Sequence, residues 1–154
     1  MRILILGNQG TLGKPLTKEL IMRGHDVYGA DLKHQNEKNY TRCDIAQYRQ
    51  IQNVIEAVKP EFVMELSAEF GRHNGEEFFE QCWSSNVIGH RNVLELQKIH
   101  GFKLIFASSS EIYGDIKVDS LSEDTPHGVL SNDYAISKLV NEMQSHNFRV
   151  KYGN

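Results

Sequence analysis

The apolar residues of this chain form short blocks of two kinds, which alternate along the sequence. Short unbroken apolar runs are typical of strands that are buried on both faces. The run RILIL predicts such a strand at residues 2–6, and we predict four more strands at residues 25–31, 40–45, 62–68 and 102–110. Apolar residues at helical spacing predict helices near residues 12–22, 48–59, 76–100 and 132–147.

Strands that alternate with helices pair in parallel through right-handed crossovers, so this order predicts a doubly wound α/β sheet of the Rossmann-like type. The 154 residues are enough for one domain of ordinary size. Ligands of such sheets bind beyond the carboxyl ends of the strands, near the point where strand order reverses. The unusual residues of this sequence lie at those ends.

Composition excludes several kinds of partner. The chain is 40% hydrophobic and 24% charged with a net charge of −3, so no basic field favours nucleic acid or a membrane surface. Its longest apolar runs are far shorter than the roughly 20 residues that span a bilayer. Cys43 and Cys82 lack the spacing of a metal site, and we expect a reduced, cytoplasmic protein without a metal.

The sequence GNQGTLG directly follows the first predicted strand and opens the first predicted helix. Gly7 suits a tight turn, Gly10 favours close approach of the backbone to a pyrophosphate, and Gly13 favours packing of the helix against the strand. The N-terminus of the helix would offer its free N–H groups to the phosphates. Such a turn alone is weak evidence for a dinucleotide site.

Asp31 strengthens that prediction, because it ends the second predicted strand, 18 residues after Gly13. An acid at this place can accept both hydroxyls of an adenosine ribose, and its charge repels a 2′-phosphate. The sequence therefore favours NAD over NADP, although the nearby Lys33 weakens the repulsion. The alternative is that Asp31 only caps a loop.

Six motifs in order along the chain resemble the extended short-chain dehydrogenase/reductases, and among these the NAD-dependent nucleotide-sugar epimerases, dehydratases and decarboxylases. They are GNQGTLG (7–13), CDI (43–45), LSA (66–68), SNVIGHRNVLE (85–95), FASSSEIYGD (106–115) and YAISK (134–138). The resemblance implies NAD as cofactor and a nucleotide-diphosphate sugar as substrate.

The resemblance also implies a role for each matched position. The catalytic residues would be Ser109, Glu111, Tyr134 and Lys138. Tyr134 and Lys138 would also contact the cofactor. The other cofactor-binding residues would be Gly7, Gly10, Thr11, Leu12, Gly13, Asp31, Asp44, Ile45, Leu66, Ser67, Ala68 and Asn86. Thr11 and Leu12 would lie against the pyrophosphate, and Asp44 and Ile45 would flank the adenine.

Tyr134 and Lys138 lie four residues apart, so they share one face of a helix. A phenol with a pKa of about 10 is a poor base at neutral pH. An ammonium one turn away, together with the positive nicotinamide, would lower that pKa toward neutrality. Tyr134 would then remove the proton of the sugar C4 hydroxyl as hydride passes to NAD, while Ser109 binds the sugar oxygen.

Glu111 bears on the type of reaction. Dehydratases and UDP-glucuronate decarboxylases resemble this pattern with a glutamate, which would assist a later step at C5 or C6. Ser110 replaces the aspartate of glucose-type dehydratases, which favours the mannose-type dehydratase or decarboxylase pattern. The alternative is a carboxylate that only braces its loop, and the type of reaction stays open.

Members of this family usually run to about twice this length. We therefore expect residues 1–154 to be an NAD-binding domain, truncated before the substrate-binding domain. A catalytically silent NAD-binding module or partner subunit is the alternative to an enzyme. The resemblance further implies a homodimer through the helices near 76–100 and 132–147.

Overall fold

The five predicted strands form one parallel sheet in the computed structural model, which describes residues 1–153. They are β1 (Arg2–Leu6), β2 (Asp26–Asp31), β3 (Tyr40–Arg42), β4 (Phe62–Glu65) and β5 (Lys103–Phe106). Their order is β3-β2-β1-β4-β5, and each strand is parallel to its neighbours. The order reverses between β1 and β4, so the carboxyl ends of these two strands flank the expected binding crevice.

Helices connect the strands. They are α1 (Gly13–Met22), α2 (Tyr48–Val58), α3 (Arg72–Glu77), α4 (Phe79–Cys82), a π-helical segment (Trp83–Gly89), α5 (His90–His100), a 3₁₀ turn (Ser110–Tyr113) and α6 (Asp133–Tyr152). The predicted doubly wound class is confirmed. Within residues 1–153, no helix is both long and apolar enough to cross a membrane.

Apolar side chains cover β1 on both of its faces, which explains the unbroken apolar run of this strand. Side chains alternate along a strand, so Leu4 and Leu6 enter the larger core cluster while Ile3 and Ile5 enter the smaller one. The larger cluster includes the buried face of α2, and residues of α1 pack against the smaller one. Burial on both faces holds β1 at the centre of the fold.

The predicted single helix over residues 76–100 is wrong. Helical structure begins at Arg72, is interrupted at Phe78 (φ −125°, ψ 51°) and passes through the π-helical segment before α5. The buried residues that follow the break keep helical spacing, so apolar periodicity does not reveal it; they are Cys82, Ser85, Asn86 and Gly89. The last helix is longer than predicted and reaches Tyr152, with Phe148 buried in its final turns.

The predicted strands extended too far at their carboxyl ends. The structure ends β3 at Arg42, β4 at Glu65 and β5 at Phe106. Beyond these ends single backbone bonds continue the pattern, from Leu66 N–H to Leu6 O (2.9 Å) and from Ala107 N–H to Glu65 O (3.0 Å). The residues that follow are therefore released from the sheet at its carboxyl edge.

Candidate functional site

The turn after β1 needs two of its glycines for packing. Gly7 has a φ of +83°, and a Cβ there would lie 2.7 Å from the backbone nitrogen of Ser67. A Cβ on Gly13 would lie 2.2 Å from Gly7 O, so Gly13 lets α1 start directly against the turn. Gly10 is less confined, because its Cβ would meet only Gly7 O, at 3.2 Å. The backbone at Gly10 is thus open to an approaching group.

The N-terminus of α1 can accept an anion. No side chain caps it, and its first turn carries no acid. Thr11 and Leu12 are exposed at this end. The N–H groups at a helix start and the positive end of its dipole suit a phosphate.

Asp31 stands beside this turn at the carboxyl end of β2. Its Oδ2 accepts the backbone N–H of Gln9 (3.0 Å), and its Oδ1 accepts that of Lys33 (3.2 Å). A carboxylate has about four acceptor sites, so both oxygens retain capacity for hydroxyl donors. Asp31 therefore caps the loop and is also suited to a ribose; the two interpretations of the sequence are compatible.

The two residues expected beside the adenine differ in their surroundings. Asp44 is half-buried, and its Oδ1 accepts the backbone N–H of Ala46 (2.9 Å). Ile45 is buried in the larger core, where its side chain fills the space beside Gly89. The side chain of Ile45 therefore packs in the core and does not line a cleft. An apolar residue suits a core position and a ligand contact equally well, so the sequence alone does not distinguish these two roles.

Leu66, Ser67 and Ala68 follow β4 and are half-buried. The backbone of Leu66 and Ser67 lies so close to Gly7 that a side chain on this glycine would collide with it. The structure thus brings this predicted wall next to the glycine turn across the reversal of strand order.

The ends of β5 and α6 bring together the predicted catalytic residues. Ser109 precedes the 3₁₀ turn, where its Oγ accepts the backbone N–H of Glu111 (3.2 Å). Tyr134 and Lys138 lie one turn apart on α6, with Lys138 Nζ 5.9 Å from the centre of the Tyr134 ring. Lys138 Nζ donates to Ala107 O (2.8 Å), which ties α6 to the carboxyl end of β5.

Burial decides the acid–base properties of this group. It raises the pKa of Tyr134, and the Ser109 side chain opposes that rise. It lowers the pKa of Lys138, and the Glu65 carboxylate opposes that fall. The expected lowering of the Tyr134 pKa is therefore not met by the chain's own residues, because the loss of hydration outweighs the hydrogen bond of Ser109.

Glu111 is connected to the tyrosine helix through Asn132. Asn132 Nδ2 donates to Glu111 Oε2 (3.0 Å), and its Oδ1 accepts the backbone N–H of Ala135 (2.7 Å) as the N-cap of α6. Asn132 is not among the site residues predicted from the sequence. Its place just before the first turn of a predicted helix is the signal that identifies it as a cap.

Asn86 lies in the π-helical segment and is 1% exposed. Its Oδ1 accepts the backbone N–H of Glu69 (2.9 Å), and its Nδ2 donates to Glu69 O (3.0 Å) and Ser137 Oγ (2.9 Å). Asn86 thus joins the loop after β4 to α6. A π-helical segment widens the helix locally and often occurs at functional sites.

Comparison with known proteins identifies the family. Residues 3–154 match the family described as "NAD dependent epimerase/dehydratase family". The chain belongs to this NAD-dependent epimerase/dehydratase family. The resemblance seen in its six motifs is confirmed.

This family member spans about half the length of the curated relatives that it matches. "Protein CapI" of Staphylococcus aureus is 32% identical over 99% of this chain and 51% of its own length. A probable UDP-glucuronate 4-epimerase of Rhizobium meliloti (strain 1021) is 27% identical over 99% of this chain and 50% of its own. The UDP-glucose 4-epimerase of Thermus thermophilus, solved in complex with NAD, has a TM-score of 0.91 at 25% identity, covering 99% of this chain and 52% of that one.

Proposed function

We propose that residues 1–154 form the NAD-binding domain of a nucleotide-sugar epimerase or dehydratase and supply its catalytic side chains. The observation that carries this proposal is the hydrogen bond from Lys138 to Ala107 at the end of β5. This bond holds the turn of α6 that carries Tyr134 and Lys138 against the chain segment that leads to Ser109. The same carboxyl edge of the sheet carries the glycine turn and Asp31. Cofactor-binding and acid–base groups thus share one edge.

The residues of this edge fit NAD. Gly7, Gly10 and Gly13, with the exposed helix start at Thr11 and Leu12, would hold the pyrophosphate. Asp31 would accept the hydroxyls of the adenosine ribose, and its negative charge favours NAD over NADP. Asp44, Ser67 and Ala68 would border the nucleotide, while Leu66 packs against the smaller core cluster and Ile45 lies in the larger one.

The chain's own residues would handle the proton of the sugar. The Tyr134 phenol would take the proton of the C4 hydroxyl, and the Ser109 hydroxyl would hold the same sugar oxygen. The Lys138 ammonium would stabilise the tyrosinate from the next turn. Because burial raises the pKa of Tyr134, deprotonation needs a second positive charge nearby. When bound, NAD would supply that charge and accept the hydride from C4.

Glu111 would act in a later step, at C5 or C6. Its contact with Asn132 holds the carboxylate beside the start of the tyrosine helix, where it also raises the pKa of Tyr134. This proximity favours a chemical role over a loop brace. A dehydratase would use the carboxylate to remove a C5 proton, and a decarboxylase-like enzyme would use it near a C6 carboxylate.

The proposal includes a homodimer through the helices near residues 76–100 and 132–147. Its support is that these helices expose large apolar side chains, which a second copy would cover. They include Ile88, Ile99, Met143 and Val150, each more than half exposed.

Turnover by variants at Tyr134 tests the proposal. We expect a protein in which residues 1–154 are joined to the second half of a full-length relative to convert UDP-glucose or UDP-glucuronate in the presence of NAD. Chromatography of the sugar nucleotides measures this conversion. Tyr134→Phe removes the proton acceptor and should reduce turnover by about a hundredfold or more. Tyr113→Phe, on the 3₁₀ turn, is the matched control and should retain the rate.

Equal rates for Tyr134→Phe and the native chain would contradict the acid–base assignment. A fusion with native residues 1–154 that binds NAD but converts no nucleotide sugar would favour the silent module instead.

A further inference from the structure

A carboxylate and an imidazole are paired inside the protein, beneath the catalytic edge. Glu65 is the last residue of β4 and is 4% exposed, while His90 opens α5 and has no exposed surface. Glu65 Oε2 and His90 Nδ1 are 2.9 Å apart. We call these two residues the Glu65–His90 pair.

His90 is held on its other side as well. Its Nε2 lies 2.9 Å from Ser145 Oγ on α6, and its ring is 4.8 Å from that of Phe106. A proton on Nδ1 satisfies both contacts, because Nδ1–H then donates to Glu65 while the Ser145 hydroxyl donates to Nε2. The pair therefore has a fixed orientation between the sheet and α6.

A backbone unit joins this pair to the catalytic lysine. Ala107 N–H donates to Glu65 O (3.0 Å), and Ala107 O accepts from Lys138 Nζ (2.8 Å). Lys138 is 5% exposed, and the one bond described for its ammonium goes to a neutral carbonyl. A buried ammonium is costly unless a negative charge lies close by. Glu65 is the buried acid whose backbone lies one peptide unit from this ammonium.

We propose that Glu65, held by His90, is a positioning residue for Lys138 and supplies the compensating charge for its buried ammonium. This inference rests on the proposed function, since it gives Lys138 its catalytic charge. Glu65 acts through Lys138 and not on the sugar. The charged and titratable groups that influence Lys138 are Glu65 from β4, Cys82 from α4 and Tyr134 from its own helix. The opposing effect of Glu65 on the lowered pKa of Lys138 agrees with this geometry.

Nuclear magnetic resonance tests the inference without cofactor or turnover. In protein labelled with ¹³C at the lysine Cε, the Lys138 signal is followed through a pH titration and assigned by its loss in Lys138→Arg. Glu65→Gln keeps the size of the side chain and removes its charge, so it should lower the pKa of Lys138 by about one pH unit or more. Glu142→Gln is the matched control, because Glu142 is a carboxylate on α6 that binds Ser108 instead.

An unchanged pKa of Lys138 in Glu65→Gln would overturn the inference, as would an equal fall in Glu142→Gln. If Glu65→Gln does not fold, the double variant Glu65→Gln/His90→Gln decides, because the two amides can hydrogen-bond to each other without a charge. The pKa of Lys138 should fall in this variant as well. No fall would overturn the inference. Both titrations use the unliganded protein, so their failure is distinguishable from a failure to bind NAD.

Discussion

At the scale of single residues, Asn132 holds two parts of the site in register. Its amide oxygen caps α6 and its amide nitrogen donates to Glu111, so one side chain orients both the tyrosine helix and the neighbouring acid. It is 9% exposed, which leaves little water to replace either bond. Loss of a buried partner costs more than the bond itself contributes.

Two substitutions separate these roles. Asn132→Ala should reduce the free energy of unfolding by about 1–2 kcal/mol, because the N-cap is lost. Asn132→Ser retains a capping oxygen but does not reach Glu111, so it should recover most of that stability. Urea unfolding of both variants measures the difference. Equal losses in the two would show that the cap contributes little.

The residues found from sequence are those with local signals. Tyr134 and Lys138 are one helical turn apart, and the three glycines follow a strand directly. Asn86 with Ser137 and Glu65 with His90 depend on pairings across 51 and 25 residues, which spacing does not reveal. A glutamate inside an apolar strand was nevertheless a visible signal, because a buried carboxylate requires a partner.

At the scale of elements, the order of strands and helices was predictable, and their ends were less so. The unbroken apolar run identified β1, because both faces of this central strand are covered, whereas the edge strands β3 and β5 leave side chains exposed. The residue at which a strand ends depends on the loop that follows it. The apolar run in the sequence continues beyond that residue, so the predicted strands are too long. The break at Phe78 separates α3 from α4, both of which contact α6, and helical periodicity does not encode it.

At the scale of the whole molecule, the proposed dimer predicts a specific sensitivity to charge. Met143→Glu places a carboxylate on the apolar surface of α6 and should shift the protein from dimer to monomer, because burial of the charge would be costly. Ile21 on α1 is also an exposed apolar residue but lies outside that surface, so Ile21→Glu should leave the dimer intact. Light scattering at matched concentrations measures both. A native chain that is already monomeric would contradict the dimer.

A calorimetric titration of the 154-residue chain with NAD and, separately, with NADP tests the proposed cofactor site most directly. We predict binding of NAD and weaker binding of NADP, with the difference reduced in Asp31→Asn because the repelling charge is lost. Circular dichroism establishes that each protein is folded. A folded chain that binds neither dinucleotide would contradict the claim that this edge of the sheet is an NAD site.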